Sequence, residues 1–255
     1  MLFKTPTEKS LELIVTPDHA TAGTAAAEIV AALIARASTR PVTIAYATGS
    51  SPRPIYAELR RRHEAGALSF KNTRAFLLDE YVGLAPDHPN AFAHFMEDNL
   101  FRFVDLPAAR RHMPDGLAEP DAACAAYENE IHGAGGIDLM ILGIGGNGHI
   151  AFNEPGAPKT SRTRRVTLAE ETRRANRRFF EKDEDVPTHA ITIGIANILE
   201  ARAALLIANG ASKAGAVAQA LAGPVTADVP ASFLQEFEGE LSVVIDDAAA
   251  ASLKI

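Results

Sequence analysis

Residues 137–155 read IDLMILGIGGNGHIAFNEP, an apolar segment that ends in a glycine-rich loop. Residues 137–142 have the nearly continuous apolar character of a strand buried on both faces, as in parallel sheets. Similar apolar segments alternate with Ala-rich or amphipathic segments along the chain. This alternation predicts an α/β fold, with a doubly wound, mostly parallel sheet and helices on both of its faces.

The predicted elements extend over most of the chain. Strands are predicted at residues 11–15, 42–47, 74–78, 137–142, 190–195, 204–208 and 241–245. Helices are predicted at residues 21–37, 53–65, 120–132 and 212–221. No Pro-, Gly- or Ser-rich linker divides them, so we expect one domain over residues 1–255. In a sheet of this kind, ligands bind in the crevice beyond the carboxyl ends of the strands.

The composition narrows the class of protein. The chain has 255 residues, of which 47% are hydrophobic, and this is enough to bury a substantial core. Its net charge of -7 offers no general attraction to nucleic acid or to an anionic membrane, so we expect neither partner. A single cysteine, Cys124, excludes an internal disulfide. Since the sequence shows neither a signal-peptide pattern nor an apolar run of ~18 residues, we expect a cytoplasmic protein.

Three glycines of the loop, Gly143, Gly145 and Gly148, match the G-x-G-x-x-G spacing of a dinucleotide-binding loop. That motif requires a long helix directly after the glycines and an acidic residue at the next strand end, about twenty positions on. Here Pro155 ends any such helix after a few residues. The later region, residues 167–185, is charged and helical in pattern. A nicotinamide or flavin site is therefore not expected.

The same loop carries three polar residues, Asn147, His149 and Glu154. Histidine transfers protons near neutral pH, and a neighbouring carboxylate can orient it and raise its basicity. Asparagine can hold the imidazole or a sugar hydroxyl without adding charge. A solvent-exposed histidine on a glycine-rich loop is the simpler alternative. Three polar groups among glycines and apolar residues favour a catalytic role.

A second strand end, residues 46–52, reads YATGSSP. Its hydroxyl and backbone N–H groups precede a helix that begins with proline, an arrangement suited to binding an anion at the helix N-terminus. Ordinary turn and capping chemistry would select the same residue types. The candidate phosphate-binding residues of this loop are Thr48, Gly49, Ser50 and Ser51.

The third strand end carries two adjacent acids, Asp79 and Glu80, in the sequence FLLDEYVGL. Because side chains alternate along a strand, at most one of the two faces a shared cleft. We take Asp79, as the continuation of the strand, to be a candidate general base. A solvated acid pair at the start of a loop is the alternative. No metal site is expected, since neither acid has a further ligand-type residue at suitable spacing.

In their order along the chain, ATGSSP, FLLDEYVGL, GIGGNGHIAFNEP, SRTRRVTL and ANRRFF resemble the glucosamine-6-phosphate deaminases of amino-sugar catabolism. The resemblance runs from Ala45 to Lys213. The related 6-phosphogluconolactonases carry loops similar to DER and GHTASLFP, which this sequence lacks. The resemblance implies isomerisation of an aldose to a ketose with hydrolytic loss of ammonia, from glucosamine 6-phosphate to fructose 6-phosphate. It also implies no metal, pyridoxal phosphate or nucleotide cofactor.

The resemblance also implies roles for individual residues. His149 matches the acid/base that opens the pyranose ring, with Glu154 as its partner in the proton relay. Asp79 matches the base that moves a proton from C2 toward C1 through an enolamine. Asn147 stands where many members carry aspartate, which leaves it as either a relay member or an orienting group. The implied phosphate ligands are Thr48, Gly49, Ser50, Ser51, Arg178 and Lys213.

Several positions depart from the family pattern. Ala91 and Phe92 replace hydroxyl-bearing residues. Ala157 and Pro158 replace serines of the members that N-acetylglucosamine 6-phosphate activates, and Val166 replaces a lysine. We therefore expect no activation by that effector. By analogy with relatives that range from monomers to hexamers, we expect a homo-oligomer.

Two other functions stay open at this stage. One is a catalytically idle sensor that binds sugar phosphates, and the other is a deaminase that prefers the galactosamine epimer. The joint presence of Asp79, His149 and Glu154 favours an enzyme, because a sensor needs a phosphate site but no proton relay. The motifs do not separate the two epimers.

Overall fold

The computed structural model describes residues 2–4, 10–36, 40–177, 180 and 186–253. Its strands are β1 Leu2–Lys4, β2 Ser10–Thr16, β3 Val42–Tyr46, β4 Thr73–Leu77, β5 Asp79–Tyr81, β6 Arg111–His112, β7 Leu139–Gly143, β8 Arg164–Thr167, β9 His189–Thr192, β10 Ala203–Ala208 and β11 Glu240–Asp246. Its α-helices are α1 His19–Ala35, α2 Arg53–Glu64, α3 Phe92–Asn99, α4 Pro120–Gly133, α5 Glu170–Asn176, α6 Ile195–Leu199, α7 Ala214–Ala222 and α8 Asp247–Ala250.

The main sheet has the strand order β1-β2-β11-β10-β7-β3-β4-β6. All neighbouring strands pair in parallel except β1 and β2, which confirms the predicted doubly wound fold. The chain leaves β3 toward β4, whereas it leaves β7 toward β10. The loops that follow β3 and β7 therefore diverge to opposite sides and leave a crevice at the carboxyl edge of the sheet.

Because side chains alternate along each strand, the apolar groups of the main sheet pack into two separate cores, one on each face. In β3, Ala45 packs on the face that also buries Tyr127 of α4, while Ile44 packs on the face that buries Val30 of α1. The first face is covered by α4, α6 and α7, and the second by α1, α2 and α3. Because both faces are covered, the central strands are apolar at nearly every position.

A second, three-stranded sheet has the order β5-β9-β8 and is antiparallel. This corrects two expectations. The predicted strand at residues 190–195 belongs to this small sheet and not to the parallel one, and Ile195 already starts α6. Likewise, Asp79 does not extend β4: the chain leaves the main sheet at Leu78, and Asp79 pairs with Thr192 of β9.

No helix in the described part of the chain combines the length and hydropathy needed to cross a membrane.

Candidate active site

Loops at the carboxyl edge of the main sheet enclose a cavity of about 740 Å³. This volume falls within the usual range of small-molecule pockets, about 300–1,000 Å³. Within the described residues, every predicted site residue except Glu154 lines it, and Glu154 contacts three of the lining residues. Arg178 lies outside the described residues. The predicted residues on the wall are Thr48, Gly49, Ser50, Ser51, Asp79, Asn147, His149 and Lys213.

The loop after β3 forms one wall of the cavity as it turns into α2. Gly49 has a φ of 97°, a left-handed conformation that glycine adopts without steric strain. The turn ends at Pro52, whose fixed φ suits the first turn of a helix. The N-terminus of α2 therefore lies at the cavity, where the positive end of the helix dipole favours an anion.

Two cations flank this wall. Lys213 caps the N-terminus of α7 and lines the cavity from the loop after β10. Arg53, which the sequence did not single out, lines it from the first turn of α2, and its guanidinium lies 5.2 Å from the centre of the Phe95 ring. These two cations make the lining of the cavity locally positive, although the whole chain is acidic.

Asp79 lies at the start of β5, where its carboxyl group faces the cavity and only 7% of the residue is exposed. Burial raises the pKa of Asp79 well above its ordinary value, and the neighbouring Glu80 adds to this effect by repulsion. A raised pKa makes the ionised carboxylate a stronger base toward a proton in the cavity.

Glu80 points away from the cavity, as strand alternation predicted, and has a structural role that the sequence did not reveal. Its carboxylate accepts hydrogen bonds from the backbone N–H groups of Tyr81 at 2.8 Å, Phe92 at 3.0 Å and Ala93 at 2.9 Å. Burial raises the pKa of Glu80, and these three donors oppose that shift. Glu80 thus satisfies the first N–H groups of α3 and fixes this helix, whose Phe92 forms part of the cavity wall.

Asn147, His149 and Glu154 form a connected set of hydrogen bonds. Asn147 Nδ2 lies 2.8 Å from Glu154 Oε2, and Asn147 Oδ1 lies 2.7 Å from His149 Nδ1. His149 Nδ1 is also 3.4 Å from Glu154 Oε2. The hydroxyl of Thr172, on α5, donates to the other carboxylate oxygen, Oε1. The structure therefore brings together the three residues that the sequence grouped and adds a fourth.

The charge of Glu154 fixes the direction of these hydrogen bonds. Burial alone would raise the pKa of Glu154, but hydrogen bonding and charge from His149, with the bonds from Thr172 and Asn147, lower it to about 2. The ionised carboxylate only accepts, so the Asn147 amide nitrogen faces it and the amide oxygen faces His149. A neutral His149 then carries its proton on Nδ1, and Nε2 keeps its lone pair for the cavity.

The backbone of the loop is shaped to hold His149. A Cβ atom added at Gly145 would lie 2.2 Å from Cε1 and Nδ1 of the His149 ring, so the imidazole occupies the space that a side chain would need. Ala151 has a φ of 49°, the single left-handed non-glycine residue in the described chain. Such strain persists only where the surrounding structure holds it, and it is frequent at functional sites.

Two buried polar residues fasten the loop to the small sheet. Thr192 Oγ1 accepts from the backbone N–H of Phe152 at 3.1 Å, and Thr192 also pairs with Asp79 across β5 and β9. Asn153 Nδ2 donates to the carbonyls of Ile150 and Ile193 at 3.0 and 2.9 Å. The small sheet thus fixes the position of the loop that holds His149 relative to the strand that holds Asp79.

The comparisons with known proteins agree with this architecture. A family model described as glucosamine-6-phosphate isomerases/6-phosphogluconolactonase matches residues 17–243. The chain belongs to this family. It is 48% identical to the glucosamine-6-phosphate deaminase of Rhodopirellula baltica over 95% of this chain and 96% of that protein. It is also 48% identical to that of Mycolicibacterium smegmatis, over 96% of this chain and 94% of that protein.

Two solved structures share the fold of this chain. A monomeric glucosamine-6-phosphate deaminase matches with a TM-score of 0.91 and 39% identity, covering 95% of this chain and all of that one (100%). The 6-phosphogluconolactonase from Trypanosoma cruzi matches with a TM-score of 0.77 at 20% identity, over 100% of this chain and 99% of that one. The second likeness concerns the fold alone.

Proposed function

We propose that the protein converts glucosamine 6-phosphate and water to fructose 6-phosphate and ammonia. The observation that carries the proposal is that Asp79 and His149, with Glu154 hydrogen-bonded behind the latter, meet in a cavity that also has an anion-binding wall. Relatives 48% identical over nearly their whole length, named glucosamine-6-phosphate deaminases, support it. This substrate needs a phosphate site, a group that opens the ring and a base at C2.

Substrate binding would place the phosphate at the N-terminus of α2. The backbone N–H and hydroxyl groups of residues 48–51 would donate hydrogen bonds to its oxygens, and Lys213, which also lines the cavity, would contribute a positive charge. Arg178 remains a family-implied ligand outside the described residues. With the phosphate held there, the sugar extends toward Asp79 and His149 along the cavity.

Ring opening is the proposed task of His149. The Nδ1 proton is held by Asn147, so the free lone pair of Nε2 can take the proton of the sugar's O1 hydroxyl. The C1–O5 bond then breaks, C1 becomes an aldehyde, and the imidazolium gives its Nε2 proton to O5. The imidazolium formed in this step is stabilised by the negative charge of Glu154, with Oε2 3.4 Å from Nδ1.

Isomerisation and loss of ammonia would follow at C2. Asp79 removes the C2 proton, and the electron pair moves to the C1 oxygen, which is protonated to give a 1,2-enolamine. Returning the proton to C1 gives an iminium at C2. Water adds to this carbon, and ammonia leaves as the ketone forms. The raised pKa of the buried Asp79 suits a group that must hold the proton between its removal and its return.

The test is ammonia release from purified protein with glucosamine 6-phosphate, beside galactosamine 6-phosphate and without enzyme. We expect ammonia and fructose 6-phosphate in equal amounts from the first substrate. Release from the galactosamine epimer alone would replace the proposed substrate. Binding of both sugars with release from neither would identify a sensor and overturn the proposal.

A further inference from the structure

The helix α5 carries a buried hydroxyl that no step of the proposed reaction uses. Thr172 is only 7% exposed, whereas Glu170 and Arg174 on the same helix are exposed. Its Oγ1 donates to Oε1 of Glu154 across 18 positions of sequence. A threonine inside a helix commonly bonds to its own backbone, so a buried hydroxyl aimed at another element's carboxylate is a specific arrangement.

We propose that Thr172 is a positioning residue: by holding the Glu154 carboxylate, it fixes the direction of the hydrogen bonds that link Glu154, Asn147 and His149. This inference rests on the proposed function. The carboxylate has two oxygens, and each has its own donor: Thr172 on Oε1 and Asn147 on Oε2. With Oε1 held, the carboxylate plane is fixed and Oε2 stays directed at the Asn147 amide. The Asn147 oxygen therefore keeps facing His149, and the proton stays on Nδ1.

A second contact shows that α5 packs against both the loop that holds Glu154 and the strand that holds Asp79. Asn176, one turn after Thr172, donates from Nδ2 to the Tyr81 hydroxyl at 2.8 Å, and Tyr81 lies two residues beyond Asp79 in β5. Residues four apart lie on the same helix face. One face of α5 thus contacts the Glu154 loop through Thr172 and the Asp79 strand through Asn176, and of these two residues Thr172 is the one that touches the relay.

The experiment compares four variants with the wild type, after ammonia release by the wild type has established the proposed function. Thr172→Val removes the hydroxyl and keeps the shape, and Thr172→Ser keeps the hydroxyl. Thr43→Val is the matched control, because Thr43 Oγ1 is buried without a hydrogen-bond partner in β3. Asn176→Ala loosens the other contact of α5 and leaves Glu154 untouched.

We expect Thr172→Val to lower kcat on the order of tenfold, the effect of one hydrogen bond to a charged group, with KM nearly unchanged. Thr172→Ser should restore most of kcat, and Thr43→Val should match the wild type. The ¹⁵N spectrum of His149 should show a protonated Nδ1 in the wild type and a mixture of tautomers in Thr172→Val.

Three results would overturn the proposal. One is a Thr172→Val variant with wild-type kcat and His149 spectrum. A second is a Ser variant that fails to recover kcat. The third is an Asn176→Ala variant with the same spectral change, since the effect would then come from seating the helix and not from the hydroxyl. A wild type without ammonia release would refute the proposed function itself, while the ¹⁵N comparison would still test Thr172.

Discussion

The side-chain nitrogen of Asn147 lies 2.8 Å from Oε2 of Glu154. Since the ionised carboxylate can only accept, this contact turns the amide oxygen toward His149 Nδ1, which lies 2.7 Å away. The asparagine thereby links acid and imidazole without adding a charge. From this geometry we infer that Asn147 orients His149, while Glu154 alone supplies the negative charge.

Replacing Asn147 by aspartate should change the pH dependence of the reaction. Asn147→Asp places a second carboxyl group at the position where Nδ2 now lies 2.8 Å from Glu154 Oε2. Two carboxylates at so short a distance do not both stay ionised. The pair should share a proton, so the acid limb of kcat/KM gains an ionisation absent from the wild type. Rates measured from pH 5 to 9 would superimpose if this account were wrong.

Gly145 should tolerate no side chain. In Gly145→Ala, the new Cβ would lie 2.2 Å from atoms of the His149 ring. Because this distance is a steric clash, the imidazole must move. A displacement near 1 Å of a reacting group lowers the rate about a hundredfold, so we expect a loss of that order in kcat. Gly146→Ala is the control, because a Cβ there meets nothing within 4 Å, and its loss should be much smaller. Equal losses in the two variants would contradict the assignment.

Asp79 should lower the stability of the folded protein as the pH rises. Its folded-state pKa is raised by burial and by Glu80, so the folded state favours the protonated acid. This contribution is fully present below the unfolded pKa of about 3.9 and is lost progressively as the pH rises through the folded pKa. In Asp79→Asn this dependence is absent. Urea unfolding should therefore show a free-energy difference, variant minus wild type, that is larger at pH 8 than at pH 5. A difference independent of pH would refute this.

N-acetylglucosamine 6-phosphate should leave the kinetics unchanged. Ala157, Pro158 and Val166 lack the hydroxyl and ammonium groups that the resemblance associates with activation. Arg164 is engaged within the chain, donating from Nη1 to Asn153 Oδ1 at 2.9 Å. Initial rates against substrate concentration should follow the same curve with and without the effector. A sigmoidal curve that becomes hyperbolic on its addition would show that this expectation is wrong.

The sequence predicted the main sheet because its signal is local. Residues 137–142 are apolar except at Asp138, and a buried parallel strand needs a nearly continuous apolar pattern whatever its partners are. The small sheet was not predicted because it depends on pairing Asp79 with Thr192, more than a hundred positions away, and on short strands with mixed patterns. The alternation rule still separated Asp79 from Glu80, since it holds in any strand.

The site was predicted in part for a similar reason. Asn147, His149 and Glu154 lie on one loop, so their proximity could be inferred from the chain. Thr172 could not be found in this way, because it reaches Glu154 only through the packing of α5. Glu80 was treated as half of an acid pair, and its capping of α3 depends on a helix that starts twelve residues later.

The central claim, that Asp79 moves the proton between C2 and C1, is tested most directly by the reaction in D₂O followed by NMR. The wild type should introduce deuterium at C1 of fructose 6-phosphate and release ammonia from glucosamine 6-phosphate. Asp79→Asn should bind the substrate, shown by calorimetry, yet neither release ammonia nor exchange the C2 hydrogen. An Asp79→Asn variant that exchanges this hydrogen at the wild-type rate would contradict the account.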